Sequence, residues 1–272
     1  MKIYPLNTGN FKLDGGAMFG VVPKTLWSRT NPADENNMCS WAMRSMLIEN
    51  GKQLILIDTG IGDKQSEKFF SHYYLFGNDD LIQNLKKLGF SPDDVTDVVL
   101  THLHFDHCGG AIARVGEERF QPVFKNATYW SNEKHWQWAV EPNPREKASF
   151  LKENILPIQE SGQLQFIPRI GELSTTPFDF MEMLFVDGHT ESQMIPHISY
   201  QGKKLVFMAD LLPSVGHIPL PYVMGYDTRP LITLSEKERF LQIAAEEEYV
   251  LFLEHDFNQE CCTVQMTEKG VR

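Results

Sequence analysis

Four apolar stretches of this 272-residue chain run into a residue that can ligate a metal. DVVLTHLH (97–104) enters the segment THLHFDHCGG, and FDFMEMLFV (178–186) leads into DGHT. KLVFMAD (204–210) finishes on Asp210, and YVLFLEHD (249–256) carries His255 at its end. Runs of this length and composition read as strands packed in a sheet. A strand end is held by its sheet yet opens to solvent, which suits the ligands of a catalytic metal.

Within THLHFDHCGG, His102 and His104 are two residues apart, so an extended backbone puts both rings on one face, able to share one ion. Asp106 and His107 follow where the strand gives way to a turn, and Gly109-Gly110 lets the backbone bend sharply. Their side chains can point to a second location beside the first. Three histidines and an aspartate buried without a metal would leave costly polar groups unpaired. A two-metal hydrolytic centre needs further ligands and open positions for water. His189, Asp210 and His255 are the candidates, and the Asp210 carboxylate could bridge two ions.

The remaining pattern frames this site. AMRSMLIE (42–49) and QLILIDTG (53–60) flank Asn50-Gly51, a strong hairpin signal. DDLIQNLKKLGF (79–90) has helical spacing, with Leu81, Ile82, Leu85 and Leu88 on one face and Gly89 as the stop. Ser91 and Pro92 open a short helical turn. A strand, an N-cap at Ser131 and a helix are expected over 127–140, and a helix over SEKERFLQIAAEEE (235–248). Strands arrive in groups with helices between them, which implies a layered α/β sandwich rather than an alternating barrel. We expect a single domain over 1–272, with residues 1–40 as an arm at the pocket rim or a dimer contact.

The net charge is −11, and no run of Lys or Arg is longer than a pair, so nucleic acid is not an expected partner. No apolar run of about 18 residues is present, so no membrane span is expected. The start lacks the apolar core of a secretory signal, and Cys39, Cys108, Cys261 and Cys262 form no CxxC pair. The expected setting is cytoplasmic.

IDTG (57–60), THLHFDHCGG (101–110), DGHT (187–190), MAD (208–210) and EHD (254–256) together resemble the metallo-β-lactamase fold superfamily, across nearly the whole chain. The resemblance implies a four-layer αββα sandwich. It implies that His102, His104 and His189 hold one metal, that Asp106, His107 and His255 hold a second, and that Asp210 bridges them. Asp58 would orient a ligand histidine or the turn that bears it. Two divalent ions are expected, with zinc the first choice; manganese, iron and cobalt fit the same donors. Asp106 and Asp210 are the candidates for moving a proton.

Departures from subfamilies narrow the activity. Many β-lactamases of this fold have Cys or Ser where Asp210 stands, and flavodiiron proteins carry glutamate at the position of His104. Quorum-quenching lactonases have a tyrosine shortly after the bridging aspartate, whereas here LLPSVGH follows. FKLDGGAMFGVVPKTLW, NPREKASFLKEN and HIPLPYVMGYDTRP look closest to the branch with methyl parathion hydrolase and broad lactonases. The expected activity is hydrolysis of a small-molecule ester, lactone or phosphotriester, with a homodimer suggested by the branch. The alternatives are a mononuclear iron redox enzyme resembling persulfide dioxygenase and a thioesterase resembling glyoxalase II. Phe19, Val21, Trp27, Phe105, His217, Tyr222 and Tyr226 are candidates for the pocket rim.

Overall fold

The computed structural model describes residues 1–272, which divide into two compact units. The first comprises Met1–Asn10 and Ala42–Arg169, and the second Phe11–Trp41 and Ile170–Arg272.

The first sheet runs, in spatial order, Lys2–Asp14, Met38–Asn50, Gln53–Ile57, Asp97–Val99, Thr128–Ser131 and Leu164–Phe166. The hairpin at Asn50-Gly51 forms as the sequence implies, with Asn50 paired to Gln53 and Gly51 at φ +64°. Beyond it the pairing turns parallel, Gln53–Ile57 to Asp97–Val99 to Thr128–Ser131 to Leu164–Phe166. One row across the sheet, Leu47, Leu56, Val98 and Tyr129, is fully buried in register. The same core takes in Leu81 and Leu85, Trp136 and Ala139, and Ile155 and Ile158, from three helices. Parallel strands need such helical cover, because each crossover lays a helix on a face.

Several boundaries differ from expectation. The strand before the histidines ends at Val99, because the Thr101 amide donates to Asp58 and the Leu103 amide to His135 instead of to a neighbouring strand. The N-cap of helix Glu133–Val140 is Asn132, not Ser131, which stays in the strand; the Asn132 oxygen accepts from His135 N at 2.9 Å. The C-terminal helix starts at Pro230, five residues early, since proline at the first turn donates no hydrogen bond there and fixes a helical φ.

The second sheet runs Cys261–Cys262, Val250–Phe252, Lys203–Phe207, Gln193–Tyr200, Met181–Val186 and Leu173–Thr175. Lys203–Phe207 and Val250–Phe252 are parallel, with Phe207 opposite Phe252, and the other pairs are antiparallel. Helix Pro230–Glu246 buries Thr233, Lys237, Phe240, Leu241 and Ala244, the i, i+4, i+7 spacing of one face. Phe240 meets the buried ring of His197 edge-on at 5.9 Å. Burial pushes that imidazole down to about 4, so it stays neutral at neutral pH. No helix is long and apolar enough to cross a membrane.

Candidate metal centre

The ligand candidates are spaced from their strands by one rule. His102 comes three residues after Val99, His189 three after Val186, Asp210 three after Phe207 and His255 three after Phe252. In the second sheet Met181–Val186, Lys203–Phe207 and Val250–Phe252 point the same way, so the three candidates that follow them gather at one edge.

In the first unit, Asp58 organises the histidine segment. It follows Gln53–Ile57, the strand parallel to Asp97–Val99, and its amide donates to Val99 O at 3.0 Å. The backbone there is left-handed, φ +55°, a conformation that aspartate tolerates better than most residues. That turn aims the carboxylate at Thr101, whose amide and hydroxyl donate to it at 2.8 and 2.6 Å. The same carboxylate lies 3.0 Å from His107 Nδ1. A carboxylate at Nδ1 holds the proton there and leaves Nε2 as the donor atom for a metal.

His102 and His104 face each other through Nε2 and Nδ1 at 3.1 Å. The far nitrogen of each ring has its own polar neighbour. His102 Nδ1 meets the Thr101 hydroxyl at 3.1 Å, and His104 Nε2 lies 3.5 Å from Glu146 Oε1. Glu146 in turn accepts from Trp138 Nε1 at 2.7 Å and Asn143 Nδ2 at 2.6 Å. His135 Nε2 accepts the Leu103 amide at 2.9 Å and so pins the backbone between the two ligands.

The chain after His107 is locked by close approach. An added Cβ at Gly109 would lie 2.1 Å from Ile61 O, and one at Gly110 2.1 Å from Thr59 O. Lys64, buried, donates its ammonium to Gly109 O, and burial lowers it to about 8. Cys108 is a packing residue: burial pushes its thiol up to about 12, and Sγ donates to Leu103 O.

In the second unit Asp210 presents one oxygen to each of two histidines. Its Oδ2 is 3.1 Å from His189 Nε2, and its Oδ1 is 3.1 Å from His255 Nε2. Ala209 before it has φ +41°, strain that a non-glycine residue carries where the structure over-determines the turn. His189 Nδ1 lies 3.0 Å from Asp227 Oδ1. Burial pushes the His189 ring down, but Asp210 and Asp227 push it up by more, to about 10. The two carboxylates thus favour positive charge at this ring.

These donors fit divalent metal. All are histidine nitrogens or carboxylate oxygens, and all are buried. Ligand atoms lie within 4.8 Å of one another for His102 and His104, for Asp106 and His107, and for His189 and Asp210. Zinc–nitrogen bonds of about 2.0–2.1 Å put neighbouring tetrahedral donors roughly 3.3 Å apart, close to the 3.1 Å separations here.

The residues expected at a pocket rim fall into three environments. Phe19, Trp27 and His217 form a buried stack, with ring centroids 5.3 Å (Phe19 to Trp27) and 4.4 Å (Phe19 to His217) apart and planes within 7°. Tyr222 is half-buried and edge-on to Phe19, whereas Tyr226 and Val21 are exposed. Phe105 packs in the first unit against Tyr73 at 4.7 Å and Phe69 at 5.3 Å. Glu146, Asp227 and His135 were not legible as site residues. Each sits in a segment with no spacing relation to the ligands.

Residues 44–255 match the family model described as the metallo-beta-lactamase superfamily. The chain is 24% identical to an N-acyl homoserine lactonase of Bacillus thuringiensis, over 95% of this chain and 94% of that one. It superposes on a probable metal-dependent hydrolase from Staphylococcus aureus with TM-score 0.88 and 32% identity, covering 98% of this chain and 92% of the other. AidC, a dizinc quorum-quenching lactonase, has the same fold at TM-score 0.80 and 21% identity, covering 99% and 92%. Two mixed sheets with helices, buried histidines and aspartates just past the strand ends and, decisively, a family match over residues 44–255 make this chain a member of the metallo-beta-lactamase superfamily.

Proposed function

We propose that this metal-dependent hydrolase works through a dinuclear centre and opens a lactone ring. His102, His104 and His189 would hold one ion, Asp106, His107 and His255 the other, and Asp210 would be shared. The observation that carries the reading is Asp210, which offers a separate oxygen to each of two histidines at 3.1 Å.

Two divalent ions bound there would supply Lewis acidity and a water of lowered pKa. The chain's own residues do the rest. Asp58 and Asp227 keep the Nδ1 protons of His107 and His189 turned away from the metal-facing nitrogens. Asp106, buried beside His107, is placed to hold a proton on its carboxylate and return it to the departing alkoxide oxygen. Phe69, Tyr73 and Phe105 form an aromatic cluster against which an apolar part of a substrate would pack.

The N-acyl homoserine lactonase relatives bring lactones ahead of arylesters and phosphotriesters. The test is elemental analysis with a panel of N-acyl homoserine lactones, simple lactones, arylesters and phosphotriesters. Two ions per chain and highest kcat/KM on a lactone are expected. D106A should abolish turnover and lower the occupancy of one ion. Full activity with one ion per chain would overturn the dinuclear reading, and turnover of phosphotriesters alone would overturn the lactone.

A further inference from the structure

Two adjacent residues of helix Pro230–Glu246 carry opposite charges and hold opposite kinds of backbone group. Glu236 accepts the amides of Asp187 at 2.7 Å and Gly188 at 3.0 Å, on the loop that carries His189. Lys237 donates to the carbonyls of His217 at 3.0 Å, Pro219 at 3.2 Å and Tyr222 at 2.8 Å. That second segment leads to Asp227, whose carboxylate faces His189 Nδ1 at 3.0 Å. The two loops are also tied directly, Thr228 N to His189 O at 3.1 Å and Arg229 N to Gly188 O at 2.9 Å. Gly188 comes so near the helix start that a Cβ would lie 2.3 Å from Thr233 N.

Fold stability alone does not call for this arrangement. Lys237 is 1% exposed, and burial lowers its ammonium to about 7. An apolar side chain of similar volume would avoid that desolvation cost. What an apolar side chain cannot do is fix three carbonyls around one point. An ammonium with three acceptors does so, and the neighbouring carboxylate does the same for two amides.

The geometry points to Glu236 and Lys237 as positioning residues that set the His189 ring between Asp210 and Asp227. Glu236 places the loop that bears the ring, and Lys237 places the loop that bears its carboxylate partner. One helix thereby fixes both sides of the His189–Asp227 contact. The inference rests on the reading that His189 holds an ion.

The test uses the full chain, wild type, E236Q, K237M, D227N and D227N/K237M, each loaded with zinc. Zinc affinity is measured by competition with a chromophoric chelator, ligand geometry from the cobalt-substituted absorption spectrum, and folding from the melting temperature. E236Q and K237M should each bind one zinc about 10- to 100-fold less tightly, with an altered cobalt spectrum. The double variant should lose no more than D227N does alone, because Lys237 acts through Asp227. Variants that melt earlier but keep wild-type zinc affinity and cobalt spectrum would overturn the assignment. Should K237M fail to fold, E236Q, which keeps an acceptor oxygen, decides the matter by the same measurements. A wild-type chain that binds no divalent ion sinks the metal reading and this inference together. Two bound ions with unchanged variants sink this inference alone.

Discussion

Glu146 stands 3.5 Å from the Nε2 of His104, held there by the indole of Trp138 and the amide of Asn143. The carboxylate is fixed by groups other than the histidine, so its charge stands in place to orient His104. E146Q keeps the shape and one acceptor oxygen but removes the charge. It should weaken metal binding about 10- to 100-fold with little change in melting temperature. Chelator competition beside calorimetry measures both. Unchanged affinity would mean that packing alone orients His104.

Asp58 combines a left-handed backbone with three contacts, to Thr101 N, Thr101 Oγ1 and His107 Nδ1. D58N tolerates the backbone but loses the charge, so activity should fall about 10- to 100-fold while the fold persists. D58A loses every contact and adds backbone strain, and should cost about 1–3 kcal/mol of stability as well. Urea denaturation of the two variants separates these effects. Equal stability of D58A and D58N would refute the strain argument.

Gly109 meets Ile61 O too closely for any side chain, and Lys64 grips its carbonyl. G109A must push the two segments apart. We expect a loss of about 1–3 kcal/mol, the usual range for overpacking, together with weaker binding of the ion on the His107 side. Denaturant titration and metal content per folded chain check the two parts.

Lys237 makes a prediction in pH. Burial lowers its ammonium from 10.5 to about 7, with Asp227 acting in the opposite sense. His217, beside it, is pushed down to about 3 by burial and stays neutral throughout. Between about 7 and 10.5 the folded chain therefore binds fewer protons at Lys237 than the unfolded chain does. Its contribution to stability rises with pH across that window and is flat below it. Lys64, lowered to about 8, acts the same way over a narrower window. In urea melts from pH 7 to 10, K237M should show a shallower rise than wild type. Parallel curves for the two proteins would contradict this.

What could be read from the sequence was whatever the local chain encodes. His102, His104, Asp106 and His107 lie within six positions, and their spacing is itself the geometry. His189, Asp210 and His255 were legible because an apolar run ended just before each one. The hairpin at Asn50-Gly51 and the turn at Ser91-Pro92 are likewise local, and both form. Glu146 and Asp227 were not legible, because a carboxylate on a loop looks the same whether it meets solvent or a histidine. Only tertiary packing decides which. Phe19, Trp27 and His217 show the same limit, since aromatic composition suits a pocket rim and a buried stack equally well. The cap at Asn132 differs from Ser131 by one residue because both side chains can cap, and strand pairing keeps Ser131.

The three-residue interval between strand end and ligand works as a ruler. Loops ordinarily accept insertions and deletions, and the segments beyond His189, Asp210 and His255 should diverge in length and composition among relatives, except where Lys237 holds the stretch that bears Asp227. The intervals 187–188, 208–209 and 253–254 have no such freedom, because one added residue would carry the ligand past its place at the sheet edge. A deep mutational scan that included single-residue indels would show this as narrow forbidden zones, each two residues wide, just ahead of a ligand. New substrate preferences in a lineage with this fold would then arise downstream of those zones, while the sheet edge keeps its gauge.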